Sequence, residues 1–273
     1  MKTLEFGAGR IIFFLLLNLL WVSCDMIEYH PYDTSSKGQP SDLNASYIGQ
    51  IEEKDDTGDT IRFAFMGDTQ RWYDETTAFV NEINRRKNID FVIHGGDISD
   101  FGMSKEYVWV HNIMKSLNVP YVALIGNHDV VGHGKEVYRE IYGNFNFAFK
   151  FRKTRFICLN TNALEFDYAT PVPDFDFMGR FLNDTAGIQK TVVVMHAPPF
   201  DDQFNNNSAL MFNYILERYK NLQFALHAHR HQLSVNDYFS NGIEYYGCDD
   251  IAGRNYLLFT LTPSSYSYEV VCF

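Results

Sequence analysis

Five apolar runs in this chain each end in a polar group whose oxygen or nitrogen can hold a metal ion. The run Phe91-Val92-Ile93-His94 leads into Gly95-Gly96-Asp97-Ile98-Ser99-Asp100. Ile61–Met66 leads into Gly67-Asp68-Thr69-Gln70, and residues 121–125 lead into Gly126-Asn127-His128-Asp129. Residues 191–195 precede His196-Ala197-Pro198-Pro199, and residues 222–226 precede His227-Ala228-His229-Arg230-His231. Each block has an ordinary reading when taken singly. Gly-Gly-Asp suits a plain turn, Asp68 suits a turn or helix cap, and His196 suits a satisfied core histidine. Their recurrence is what points to chemistry. In an open α/β sheet such strand ends line one crevice, so carboxylates, an amide and imidazoles would converge there. His227, His229 and His231 alternate, which on a continued strand would turn all three the same way.

Taken in order, Gly-Asp-x-x, Gly-Gly-Asp, Gly-Asn-His-Asp, His-x-Pro-Pro and x-His-x-His resemble the calcineurin-like metallophosphoesterase superfamily. The resemblance runs from Ile61 to the C-terminus. It implies an α/β fold of two packed mixed sheets flanked by helices, and a phosphoesterase with two divalent metal ions. Such a pair of ions, roughly 3.5–4 Å apart, neutralises phosphate charge and lowers the pKa of a bound water to give a hydroxide nucleophile. The resemblance makes Asp97 the bridging ligand. It gives Asp68 and His231 to one ion, with Gln70 beside them, and Asn127, His196 and His229 to the other. A ligand set of nitrogen and oxygen without thiolate suits Mn, Fe or Zn, with Mg as a further option. His128 is then the residue that faces substrate, stabilising the transferring phosphoryl group or protonating the leaving oxygen. Asp129 is expected to orient it.

The histidine cluster fits the family's Gly-His-x-His pattern in two registers, beginning at Leu226 or at Ala228. Ala228 is the closer stand-in for glycine, so His229 and His231 become ligands. His227 and Arg230 become substrate-side candidates, Arg230 as a phosphate contact. Two departures stand out. Much of the family has Asp-x-His where this chain has Asp68-Thr69-Gln70. Purple acid phosphatases carry an iron-binding tyrosine three residues after the bridging aspartate, where this chain has Asp100, so no ferric tyrosinate centre is expected.

The elements that must position these groups follow from periodicity. Residues 75–86 place Phe79, Val80 and Ile83 on one helical face. Residues 104–117 form a second helical pattern, with Ser104 as cap and Val108, Ile113, Met114 and Leu117 as its apolar face. Strand–helix alternation from Ile61 implies parallel βαβ units. Residues 145–151 and 154–160 then read as antiparallel strands turning at Arg152-Lys153, 175–182 as a short helix, and 207–220 as a helix capped at Asn207 or Ser208. Strands are expected at 233–239, 242–247, 256–261 and 266–271.

Its 273 residues allow one sizeable domain. Residues 1–23 have a basic start at Lys2 and Arg10 and an apolar run over 11–22, followed by Ser23-Cys24. That run is short for a membrane span and fits a secretory signal. Its ending resembles a bacterial lipobox, with Trp21 a departure, and implies a membrane-anchored lipoprotein of the cell envelope acylated at Cys24. Residues 24–60, polar and rich in Ser, Asp, Gly and Gln, read as a tether with an edge strand near Ile27 and a further small element over 44–51. The domain proper is 61–273.

The formal charge is −11; losing 1–23 removes two basic residues and one acidic residue, leaving −12. That balance argues against general affinity for nucleic acid. Cys158 reads as a core thiol, and Cys248 and Cys272 as a pair available for oxidation. The expected substrate is a phosphorylated small molecule or lipid. The alternatives to a phosphomonoesterase or phosphodiesterase are a hydrolase of nucleotide or lipid-linked diphosphates, and a silent metal-binding envelope protein.

Overall fold

The computed structural model describes residues 40–54, 58–166 and 170–273. The expected signal segment, Cys24 and the edge strand expected near Ile27 lie outside the described residues.

Two mixed sheets carry the molecule. The first is built on β1 (Ile61–Met66), β2 (Phe91–His94), β3 (Tyr121–Ala123), β10 (Asn255–Leu261) and β11 (Tyr266–Cys272), in the order β11-β10-β1-β2-β3. The second uses β4 (Phe147–Phe151), β5 (Thr154–Leu159), β6 (Lys190–Met195), β7 (Leu222–His227), β8 (Ser234–Asn236) and β9 (Tyr245–Gly247), in the order β4-β5-β6-β7-β9-β8. The strands β1, β2 and β3 are parallel, as are β5, β6, β7 and β9. Antiparallel neighbours complete both sheets.

The central strands are buried on both faces, and this is why they read as unbroken apolar runs rather than alternating ones. Phe63 and Phe65 of β1 face the inter-sheet core with Phe91, Phe156, Val192, Val194 and Phe224, while Ala64 and Met66 face helices. Phe63 stacks on Phe91 and Phe259, each at 5.4 Å, and meets Phe156 edge-on at 5.3 Å. Truncating that ring to alanine would cost about 3–5 kcal/mol.

Helices α2 (Tyr73–Arg85) and α3 (Ser104–Met114) cover the first sheet, using Phe79, Val80, Ile83, Tyr107, Val110 and Met114. Helices α5 (Phe175–Asn183) and α6 (Ala209–Leu216) cover the second, using Met178, Phe212, Ile215 and Leu216. Between them in sequence lies α4 (Gly134–Ile141).

Several local expectations are corrected. Ser104 does not cap α3. The backbone N–H groups of Phe101 and Met103 donate instead to the carboxylate of Glu106, at 2.9 and 3.2 Å. The buried face of α3 is Tyr107, Val110, His111 and Met114, with Val108 only half-buried. The helix expected over 207–220 is a short 3-10 turn, Asn206–Ser208, followed by α6. Cys248 and Cys272 are both free thiols, one buried and the other exposed; Cys158 is the core thiol expected.

The element expected over 44–51 is α1 (Leu43–Glu53), a helix within the stretch read as tether. It seals the edge of the first sheet, since Asn44 exchanges two hydrogen bonds of 2.9 Å with the backbone of Ala123. An unpaired strand edge is thereby covered.

Candidate metal centre

Register brings the motif loops to one end of the sandwich. Met66 pairs with His94, so the loops bearing Asp68 and Asp97 leave neighbouring strands at one level. Met195 likewise pairs with His227, placing His196 beside the 228–231 loop. The loops are stitched together by backbone bonds from Asp68 N to the Gly96 carbonyl and from Thr69 N to the Asp97 carbonyl, both 3.0 Å. A side chain at Gly126 would strike Asp97 Oδ1 at 2.1 Å, so only glycine lets the third loop approach.

Four of the expected ligands sit in left-handed backbone: Asp68 (φ 53°), Asp97 (φ 58°), His229 (φ 69°) and His231 (φ 47°). Such conformations cost energy in non-glycine residues and cluster at functional sites. They also explain why strand alternation misleads at the histidine cluster. The chain leaves β7 at His227, and His229 and His231 reach the site through these turns.

Asp97 is common to two candidate metal groups. Its carboxylate lies within 4.8 Å of ligand atoms of His196 and His229, and within the same distance of Asp68 and His231. Around His196 the donor chemistry is unbalanced. Its Nδ1 lies 2.9 Å from the Gly95 carbonyl and must carry a proton to donate to it. Its Nε2 then faces two acceptors, Asn127 Oδ1 at 3.0 Å and Asp97 Oδ1 at 3.4 Å. Three electron-rich atoms so placed require a cation between them, and without a metal a proton fills that role. Burial opposes the charge, but Asp97 and Asp68 hold the imidazole protonated up to about 9.

The second group is similarly incomplete. Gln70 Oε1 is buried without a hydrogen bond, and so is Asp68 Oδ1, which lies 3.3 Å from His231 Nε2. Burial raises the pKa of Asp68 against the pull of His231. Asp97 is also buried, yet His196 and His128 draw its pKa down to about 2. Gln70 donates its amide to Asp97 Oδ2 at 3.3 Å. The orphaned acceptors and the mix of carboxylate, amide and imidazole fit divalent ions.

His128 stands at the rim, its side chain 39% exposed. Its backbone N–H donates to Asp97 Oδ1 at 2.9 Å. The orienting contact expected from Asp129 is not formed. Asp129 is fully buried and accepts from Ile98 N, Ser99 N, Ser99 Oγ and Gly126 N at 2.8–3.0 Å, tying the second loop to the third. Burial and the charge of Asp97 push its pKa up to about 6. Asp100 supports His128 instead. Its carbonyl oxygen lies 3.0 Å and its carboxylate 3.7 Å from His128 Nδ1.

His227 is corrected as a substrate-side candidate, because it is fully buried with Nδ1 2.9 Å from the Ala228 carbonyl. Burial pushes its pKa down to about 4. Arg230 remains half-exposed but is engaged, donating to Asp201 Oδ2 at 3.1 Å and to the Tyr238 hydroxyl at 3.0 Å.

Three further acids contact the candidate histidines. Asp100 supports His128. Asp201 Oδ1 lies 2.9 Å from His229 Nε2, and Asp250 Oδ2 lies 3.6 Å from His231 Nδ1. Asp100 carried a spacing signal, three residues after Asp97. Nothing in the spacing of the other two marks them.

The comparisons with known proteins bear on family and fold. Over an alignment 107 positions long that covers 34% of the chain, it is 31% identical to the uncharacterized protein YvnB of Bacillus subtilis (strain 168); the match spans only 8% of that protein's length. Among solved structures, GAP50, the anchor in the inner membrane complex of Plasmodium, superposes with a TM-score of 0.57 at 12% identity, covering 78% of this chain and 84% of that one. A dimetal phosphatase from Danio rerio superposes with a TM-score of 0.56 at 12% identity, covering 76% of this chain and 98% of that one. At such identities the likeness is one of fold. The family model for calcineurin-like phosphoesterases matches residues 61–233, a span that holds every motif residue of the metal centre, and the chain belongs to the calcineurin-like phosphoesterase family.

Proposed function

We propose that this metal-dependent phosphoesterase works through two divalent ions bridged by Asp97. The observation that carries the reading is the place of Asp97 in both candidate groups. Asp68, His231 and Gln70 would hold one ion with Asp97; Asn127, His196 and His229 would hold the other. When bound, the ions supply charge neutralisation at the phosphate and acidify a water that attacks phosphorus.

The chain's own residues do the rest. As oxygen bonds to phosphorus and the ester P–O bond breaks, His128 delivers a proton to the leaving oxygen from Nε2, since Nδ1 is held by Asp100. Asp129 keeps the loops of Asp97 and Asn127 in register. Phosphomonoesters and phosphodiesters are both within reach of this arrangement. The lipobox-like Ser23-Cys24 supports a lipoprotein anchored to the cell envelope, with Cys24→Ser expected to move the protein from a detergent phase to the aqueous phase.

The test is to strip the purified chain with a chelator, restore Mn, Zn, Fe or Mg singly, and assay a nitrophenyl phosphomonoester beside the diester. Hydrolysis restored by at least one ion is expected. Metal binding without turnover on either ester would favour the silent binding protein.

A further inference from the structure

We infer that a cavity walled by α4 and α5 binds an acidic sugar, a ring of hydroxyls that carries one carboxylate. The cavity holds about 970 Å³, and residues of both helices line it together with Phe145 and Asn146, just before β4, and Asn160, just after β5. Sites for small molecules fall in this size range. None of the residues assigned to the metal centre lines it.

Asn160 carries the argument. It is only 2% exposed, yet it lines the cavity. Its Oδ1 accepts from the backbone N–H of Asn162 at 3.1 Å and from Asn162 Nδ2 at 3.0 Å. Two donors on that oxygen fix the orientation of the amide. The N–H groups of its Nδ2 then meet no acceptor among the described residues. Buried donors in folded proteins are ordinarily bonded, and the cavity is where an acceptor from a ligand can reach these. Asn146 repeats the pattern on the same wall: its Oδ1 accepts from Asn160 N at 2.8 Å, and its Nδ2 is left over.

Three cations line the same cavity, each over a ring that lines it too. Lys135 Nζ lies 5.3 Å from the centre of Phe166, the Arg139 guanidinium 4.5 Å from Phe145, and the Arg180 guanidinium 5.8 Å from Phe177. None of the three side chains forms an ion pair or a hydrogen bond with another described residue. The rings hold the cations without neutralising them, so their N–H donors stay available for a carboxylate. The acids of the cavity are placed differently. Asp174 is spent on the start of α5, accepting from Phe177 N at 2.9 Å. Glu136, Glu140 and Asp176 are exposed and offer only acceptors. A bare anion would use the donors and be repelled by these acids. The hydroxyls of a sugar accept from the amides and donate to the acids, while its carboxylate meets the cations.

The test is calorimetric titration of the purified chain with glucuronate, glucose and acetate, before and after metal is stripped with a chelator. Glucuronate has no phosphoester to hydrolyse, so the result is independent of turnover. It should bind equally with and without metal, while glucose and acetate, each with half of the chemistry, should bind about 10-fold more weakly or less. Arg139→Met should weaken glucuronate about 10–100-fold, the scale of a lost charge-assisted hydrogen bond, and Arg139→Lys should restore part of it. Asn160→Asp keeps the oxygen that accepts from Asn162 and replaces the amide donors with negative charge, so it should abolish binding. The exposed Arg139 guards against a loss that comes only from misfolding at Asn160. Glucuronate binding that disappears with the metal, or that survives both substitutions, would overturn the proposal by putting the anion elsewhere. Acetate binding as tightly as glucuronate would overturn it by leaving an anion site with no place for a sugar, and so would the failure of all three probes to bind.

Discussion

Asp100 meets His128 Nδ1 twice, through its carbonyl oxygen at 3.0 Å and its carboxylate at 3.7 Å. One acid thus fixes which nitrogen of the imidazole faces away from the protein. His128→Asn should keep the metal content and lower turnover by about 10²–10⁴-fold, as expected for a lost general acid. Asp100→Asn should keep the carbonyl contact and lose the charge, giving a smaller loss of roughly 10-fold or more. In both variants an alkyl leaving group, which needs the proton, should suffer more than nitrophenolate. Equal losses on the two would instead indicate electrostatic stabilisation of the phosphoryl group.

Asp129 should behave differently although it adjoins His128 in sequence. Its carboxylate accepts from three backbone N–H groups and one hydroxyl in a fully buried setting. Asp129→Ala leaves those donors unpaired and should destabilise the fold by about 2–4 kcal/mol. Urea unfolding of the metal-free protein reads this directly. A variant as stable as the parent that still loses turnover would return Asp129 to a role at His128.

The strands were legible because they are buried on both faces, so β1 and β6 stand out as apolar runs ending in motif residues. The candidate site was legible where a metal-capable residue closely follows such a run, as Asp68, Asp97 and His196 do. It ceased to be legible where the path of a loop decides. The alternation of His227, His229 and His231 assumes a strand that continues, whereas β7 stops at His227 and positive φ angles redirect the next two histidines. The pairing of Asp201 with His229 depends on how the loop after Pro199 folds back, and no local periodicity encodes that. Ser104 misled as a cap because the helix takes Met103 as its N-cap, with Glu106 three residues on reaching back to the Met103 backbone N–H. Asp129 misled because adjacency in sequence was read as contact.

His94 supplies a pH signature. Gly96 N donates to its Nδ1 at 3.2 Å, so Nε2 carries the proton and donates to Thr69 Oγ1 at 2.8 Å. Burial in this setting pushes its pKa down to about 3, with Asp97 opposing. Between that value and the unfolded value near 6.5 the unfolded chain binds the extra proton and the folded chain does not. Stability from this group is therefore complete at neutral pH and is lost as pH falls through the window. His94→Gln cannot take up that proton. Its unfolding free energy in metal-free protein should fall less than the parent's between about pH 7 and pH 5, by roughly 2 kcal/mol. Parallel slopes would show that His94 does not titrate in this way.

Gln70 tests the metal centre at its weakest point. Its amide nitrogen donates to Asp97 Oδ2 at 3.3 Å while Oε1 is buried without a partner. Its nitrogen is thus engaged by Asp97, and its oxygen is the atom left to reach an ion. An amide oxygen is also a harder, weaker ligand for Zn or Fe than the imidazole usual at this position in much of the family. The ion near Asp68 and His231 should therefore bind more weakly than the one near Asn127, His196 and His229, and lean toward Mn or Mg. Calorimetric titration of the metal-free protein should show two unequal steps, with full activity only after the second. Gln70→His should tighten the weaker step by about 10-fold or more and shift preference toward Zn, the scale set by changes around metal ligands. Two tight and equal steps in the parent would mean that Gln70 imposes no penalty. A single step at saturating metal would leave Asp97 with one ion and remove the two-metal reading for this chain.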